Sequence, residues 1–134
     1  MVDKFNENQP EDQNIEFSVT GDSYNLQLDP NLLSQSLSNL LSNAIKYSPG
    51  KRGPKLLVDF NPEKVVVSVK DYGIGISEEE YPYLFEPFFR ANNATDINGT
   101  GLGLSIAKEY VLQNKGDISA ESVLGEGSCF KISF

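Results

Sequence analysis

The chain has 134 residues, 39% hydrophobic and 22% charged, which suits one soluble globular domain and excludes a disordered or membrane-resident chain. Nineteen Asp and Glu against 11 Lys and Arg give a formal net charge of -8 and a sequence pI near 4.4, which excludes nonspecific binding to nucleic acid or to an anionic lipid surface. There is no histidine, so imidazole bases, histidine metal sites and Ser/His/Asp triads are excluded together, and the single cysteine leaves no internal disulfide.

Residues 1–14 are mostly charged or amide-bearing and read as a linker or flexible arm, with the domain proper spanning 15–134. Ile15 to Thr20 and Tyr24 to Leu28 alternate apolar with polar residues around Gly21-Asp22-Ser23, which predicts two short strands about a turn. Asp29-Pro30 then opens a helix, Asp as the cap and Pro at the first helical position. At about 100° per residue, Leu33, Leu37, Leu40, Leu41 and Ala44 fall on one side of that helix, and Asn39, Asn43, Lys46 and Tyr47 cluster on another.

The turn-forming run Ser48 to Pro54 ends the helix, and valine-rich strands follow at Lys55 to Phe60 and Lys64 to Lys70. Ser77 with Glu80 three residues on is a capping box, so a short helix is expected there, limited by Pro82. The small, polar residues 91–99 suggest a mobile loop. Glycines at 99, 101 and 103 lead into a helix that Gly116 should terminate. Asp117 to Ser122 and Ser128 to Phe134 form a closing hairpin, in which Phe130, Ile132 and Phe134 face the core and Cys129 is an unreactive structural thiol. Strand pairs adjacent in sequence, rather than strict strand–helix alternation, favour an α+β two-layer sandwich whose sheet carries helices on one face. No apolar run approaches the length of a membrane span, which gives the chain a cytosolic character.

Four segments carry chemistry, each with a bland reading beside it. Asn39 and Asn43, four apart, point the same way, with Lys46 and Tyr47 a turn further on. An amide oxygen is a hard neutral ligand suited to Mg²⁺, and a lysine is a point charge for phosphate oxygens; ordinary solvated amides are the alternative. Asp71-Tyr72-Gly73-Ile74-Gly75 at a strand end could form a simple tight turn, or could aim Asp71 at the exocyclic amino group of adenine. Gly99-Thr100-Gly101-Leu102-Gly103-Leu104 exposes backbone N–H groups ahead of a helix, where phosphate binds well, though a hinge has the same composition. It lacks the Lys-Ser or Lys-Thr of a P-loop. Phe85-Glu86-Pro87-Phe88-Phe89-Arg90 puts aromatics at the base of the polar loop, explained first by packing.

Together and in this order, NLLSNAIKYSP, DYGIGI, FEPFFR and GTGLGLSIAK resemble the asparagine, first glycine, phenylalanine and second glycine boxes of the histidine kinase branch of the GHKL ATPases. That superfamily also includes DNA gyrase, the ninety-kilodalton heat-shock chaperone and mismatch-repair ATPases. The resemblance covers nearly all of 15–134 and implies a GHKL-type fold, a mixed and mostly antiparallel sheet with a left-handed βαβ unit. ATP would lie between the asparagine helix and a lid over 91–99, the lid anchored by Phe88 and Phe89. By position, the resemblance makes Asn43 the Mg²⁺ ligand, Asn39 its polar neighbour, and Lys46 and Arg90 phosphate contacts, and these four form the catalytic group. Asp71 would read adenine. The nucleotide contacts it implies are Asn39, Asn43, Lys46, Tyr47, Asp71, Gly73, Gly75, Ile76, Phe88, Thr100, Gly101, Leu102, Gly103 and Leu104.

Hydrolytic members of that superfamily have a glutamate four residues before the Mg-binding asparagine, where this chain has Asn39, and an amide cannot take up a proton from water. The expected reaction is therefore transfer of the ATP γ-phosphate to a histidine on a separate dimerisation domain of a parent sensor kinase, with a response regulator served indirectly. Because the dimerisation helices and their histidine are missing, the chain reads as an excised cytoplasmic domain, competent to bind ATP but not to autophosphorylate alone. The parent kinase could be soluble or membrane-anchored. An ATP-binding regulatory module without transfer, a serine-directed anti-sigma-factor kinase and a GHKL ATPase are the competing readings.

Overall fold

The computed structural model describes residue 7 and residues 14–89 and 103–134. Its elements are β1 (Glu16–Thr20), α1 (Pro30–Lys46), β2 (Lys55–Phe60), β3 (Val65–Lys70), a 3-10 helix (Glu78–Tyr83), α2 (Gly103–Gln113), β4 (Asp117–Val123) and β5 (Gly127–Ser133). The strands form one sheet in the order β1-β2-β3-β5-β4; β1 runs parallel to β2, and the other three pairings are antiparallel. A parallel neighbour needs a crossover, which α1 supplies. The expected α+β sandwich with a mixed, mostly antiparallel sheet is the architecture found.

Asp29 caps α1 by accepting from the N–H groups of Asn31 at 2.8 Å and Leu32 at 3.4 Å. Leu40, Leu41 and Ala44 of its predicted apolar side are buried, with Leu33 and Leu37 packed at the core's margin. Ser36, 0% exposed, lies where α1 meets α2. Its hydroxyl donates to Leu32 O at 2.8 Å within its own helix, so a small polar side chain is satisfied inside the helix pair. The sheet contributes Leu56, Val65, Val67, Val69, Phe130 and Ile132 to the same core, the period-two pattern expected of strands covered on one face.

Two local expectations fail and a third, the short helix after Ser77, holds only in part. Tyr24 to Leu28 is not a strand: the Tyr24 ring packs edge-on against Phe60 at 5.5 Å and its hydroxyl donates to Asn61 O at 2.6 Å. The segment thus crosses the end of β2 towards α1 instead of lying beside β1. The short helix after Ser77 is a 3-10 helix containing Pro82, and Ser77 gives it no side-chain cap, because its hydroxyl bonds the Glu80 carboxylate at 3.1 Å. The proline has no N–H for an α-helical bond. Finally, α2 is stopped by Lys115, not by Gly116. Lys115 takes φ +60, its N–H reaches Leu112 O and the Gly116 N–H reaches Val111 O, the Schellman pattern. Gly116 answers a packing need, since a Cβ there would lie 2.5 Å from the Phe134 ring. No helix among the described residues is long and apolar enough to cross a membrane.

Candidate nucleotide-binding site

The C-terminal half of α1, the loop leaving β3, the residues after the 3-10 helix and the start of β5 enclose one cavity. It is lined by Asn43, Tyr47, Asp71, Ile74, Gly75, Ile76, Leu84, Phe89, Ser128 and Phe130. Asn43 and Asp71, on separate elements, therefore border the same space, whose walls are otherwise largely aliphatic and aromatic. Among the described residues that line it, Asp71 is the one carboxylate.

Asp71 continues the β3–β5 ladder by one step. Its N–H donates to Ser128 O at 2.8 Å, and its side-chain Oδ1 accepts from the N–H groups of Gly73 at 3.0 Å and Ser128 at 3.2 Å. Both bonds fall on Oδ1, which leaves the lone pairs of Oδ2 outside this backbone cradle. At 6% exposure the carboxyl is desolvated, and burial pushes its pKa above the ordinary carboxylate value; the Gly73 and Ser128 N–H groups and the nearby Ser48 hydroxyl pull it back down.

The loop after Asp71 is pinned from both sides. Ile74 N–H donates to Tyr47 O at 3.1 Å, Gly125 N–H to Ile74 O at 2.8 Å, and Ile76 N–H to Ser122 Oγ at 2.7 Å. Ser122 in turn bonds Gly127 O and the Ser128 hydroxyl, and exchanges hydrogen bonds with Tyr81 of the 3-10 helix. The two glycines of the loop are demanded by the protein itself. A Cβ on Gly73 would lie 2.0 Å from Tyr47 O, and Gly75, at φ +70, would place one 2.2 Å from Val123 O. Both glycines thus make room for neighbouring backbone, and Gly75 also borders the cavity.

At the other end, Gly103 opens α2, and the position its Cβ would occupy lies 3.6 Å from Asn43 Oδ1. An amide oxygen and a helix N-terminus thus adjoin each other, a combination suited to a cation and the phosphates that share it.

The remaining expected residues divide. Tyr47, Gly75 and Ile76 line the cavity. Asn39, a turn before Asn43 on α1, is half-buried and outside the lining; Lys46 is exposed at the end of α1; Gly73 is buried behind the loop; Leu104 packs against the core. Phe88 is 71% exposed with φ +65, and its neighbour Phe89 is the aromatic that lines the cavity. Arg90, Thr100, Gly101, Leu102 and the expected lid over 91–99 lie outside the described residues. Ile74, Leu84, Ser128 and Phe130 also line the cavity and were not among the expected contacts. Ser128 was legible, since it sits two before core-facing Phe130 in an alternating strand and so shares its face.

Residues 28–134 match the family described as "Histidine kinase-, DNA gyrase B-, and HSP90-like ATPase", and the chain belongs to that family. Among its relatives, sensor histidine kinase WalK of Bacillus subtilis (strain 168) is 37% identical over 134 aligned residues, 96% of this chain and 22% of that protein. Sensor histidine kinase RppB of Synechocystis is 35% identical over 102 residues, 75% of this chain and again 22% of that protein. The chain therefore spans about a fifth of the length of these relatives. Among solved structures, the mycobacterial sensor histidine kinase MprB superposes with a TM-score of 0.74 at 31% identity, covering 90% of this chain and 82% of that one. Full-length ShkA in complex with AMPPNP gives a TM-score of 0.70 at 27% identity, covering 89% of this chain and 25% of that one.

Proposed function

We propose that this chain is the ATP-binding catalytic domain of a sensor histidine kinase, holding Mg-ATP so that its γ-phosphate passes to a histidine on a separate dimerisation domain. The observation that carries the reading is the meeting of Asn43 and buried Asp71 across one apolar cavity. The sensor histidine kinase relatives, and the AMPPNP in the ShkA structure, support the class of ligand and reaction.

Each end of the cavity suits one end of the nucleotide. Asp71 accepts from the adenine amino group and so rejects guanine, whose carbonyl at that position would meet a carboxylate. Tyr47, Ile74, Ile76, Leu84, Phe89 and Phe130 supply the apolar walls for the ring. Asn43 offers its amide oxygen to Mg²⁺. Among the described residues there is no group of three or more His, Cys, Asp or Glu that could hold a metal, which fits an ion taking its other ligands from phosphate and water. When bound, the ion neutralises charge on the phosphates. Lys46 and Arg90 add positive charge there, and the α2 N-terminus at Gly103 and Leu104, with Thr100, Gly101 and Leu102 before it, offers backbone N–H groups. Asn39 lacks a proton-accepting group for water, so hydrolysis is slow and transfer rests on positioning.

The acceptor histidine lies outside these 134 residues, which contain none. The parent kinase, its response regulator and a cytosolic place for this domain belong to the same proposal. Mixing the chain with a separately produced histidine-bearing dimerisation domain and labelled ATP tests it. Acid-labile phosphohistidine is the expected product. ATP binding without it would favour a nucleotide-responsive module, and steady hydrolysis in its place would favour an ATPase.

A further inference from the structure

Tyr81 belongs to the 3-10 helix and does not line the cavity, yet residues that follow it do: Leu84 and Phe89 form one wall. The backbone bonds of this stretch are local. Leu84 N–H donates to Tyr81 O at 3.2 Å, Glu86 N–H to Tyr83 O at 3.1 Å and Phe89 N–H to Glu86 O at 3.2 Å. Such bonds shape the segment without fixing its place on the domain. Leu84 is buried, and Phe85 meets Phe130 edge-on at 6.2 Å, but apolar packing is non-directional.

The Tyr81 hydroxyl supplies the directional tie. It accepts from Ser122 N–H at 2.6 Å and donates to Ser122 O, so one side-chain atom engages both backbone groups of one residue. Ser122 lies on β4, an edge of the sheet, where outward N–H and C=O groups have no neighbouring strand, and the hydroxyl takes that strand's place. The Ser122 side chain reaches the rest of the cavity. Its Oγ accepts from Ile76 N–H at 2.7 Å, donates to Gly127 O at 2.9 Å and lies 2.8 Å from Ser128 Oγ; Ile76 and Ser128 are themselves lining residues. One residue of β4 therefore sets the wall segment, the loop after β3 and the start of β5 relative to one another.

We infer that Tyr81 is a positioning residue for nucleotide binding: its hydroxyl latches the 3-10 helix onto the β4 edge at Ser122 and so holds the Leu84 and Phe89 wall against the base. This rests on the reading of the cavity as a nucleotide site.

The first test uses the wild-type chain. A latch that favours binding is in turn held shut by the ligand, by the same factor. Saturation with ATP is expected to slow hydrogen exchange at the Ser122 amide about fivefold more than saturation with inorganic tripolyphosphate, which has no base to press on the wall. The second is calorimetry on Tyr81→Phe, which keeps the ring and removes both bonds. The share of molecules with a displaced wall rises, so affinity for ATP and adenosine falls about fivefold while tripolyphosphate binds as in wild type. In a Phe89→Leu background that loss shrinks, because the wall being positioned has itself been altered. A role confined to stability would lower the denaturation midpoint of Tyr81→Phe and leave the ratio of ATP to tripolyphosphate affinity unchanged. That unchanged ratio, or a Ser122 amide slowed equally by the two ligands, would overturn the inference and leave the nucleotide site standing. A wild-type chain that binds no ATP would remove the site itself.

Discussion

At the Asp71 end of the cavity the described elements are tied to one another, whereas at the Asn43 end the described residues make few bonds to other elements. The loop from Asp71 to Ile76 is bonded to Tyr47 on one side and to the β4–β5 hairpin on the other, and its glycines press against backbone. Lys46, by contrast, is exposed, and a Cβ added to Gly103 would meet Asn43 only at an ordinary contact distance. Among the described residues, one end is shaped by its own bonds, while the other is the end proposed to take phosphates and an ion. Pre-shaping suits a flat base that is read by fixed hydrogen bonds; room suits a group that must be handed on.

The sharpest way to break this contrast is to add one methyl group at each end. Gly73→Ala should drive a Cβ into the Tyr47 carbonyl and cost about 3 kcal/mol, read as a lowered denaturation midpoint at constant slope. An unaltered midpoint would show that the loop yields. Next in size is Asp71→Asn. The amide oxygen can still accept from Gly73 and Ser128, so the fold should persist, but its other face becomes a donor opposed to the adenine amino group, and ATP affinity should fall about a hundredfold.

The same variant tests the electrostatics. Because burial raises the folded pKa of Asp71 above the unfolded value of 3.8, the native state binds this proton more tightly than the unfolded chain does. Its contribution to stability is therefore greatest at low pH, declines as pH rises from about the unfolded value through the raised folded value, and is level above that. Asp71→Asn should remove this decline and leave the chain at least as stable as wild type at neutral pH. A steeper fall in stability with rising pH in the variant would reverse the sign.

Smaller effects belong to the open end. Asn43→Ala should weaken Mg-ATP binding about tenfold and abolish the gain that Mg²⁺ gives, with metal-free ADP affinity nearly unchanged. Gly103→Ala should be the mildest, since its Cβ has space; stability should hold to within about 1 kcal/mol, any change in phosphate affinity isolating the α2 N-terminus as a contact.

Local regularities were readable from the residues alone. The valine alternation of β3, the capped apolar stripe of α1 and the Phe130–Ile132 pattern of β5 each carry their own period, and the four motifs named the family before their geometry was known. What could not be read were choices set by distant partners. Tyr24 alternates like a strand residue, but Phe60 and Asn61 decide where it goes. The alternation of β1 says nothing about a parallel partner 39 residues away, as in Phe17 beside Leu56. Gly73 was expected at a turn or a nucleotide contact and Gly116 as a helix stop, because the Tyr47 carbonyl and the Phe134 ring that exclude a side chain come from elsewhere in the chain.

The central claim is that Asp71 and Asn43 hold opposite ends of one adenine nucleotide. Calorimetric titration of the wild-type chain with Mg-ATP and Mg-ITP tests it most directly, since inosine turns the amino donor into a carbonyl acceptor and changes nothing in the phosphates. One site with ATP preferred by about a hundredfold is the predicted result. Equal affinity for the two, or binding of neither, would contradict it.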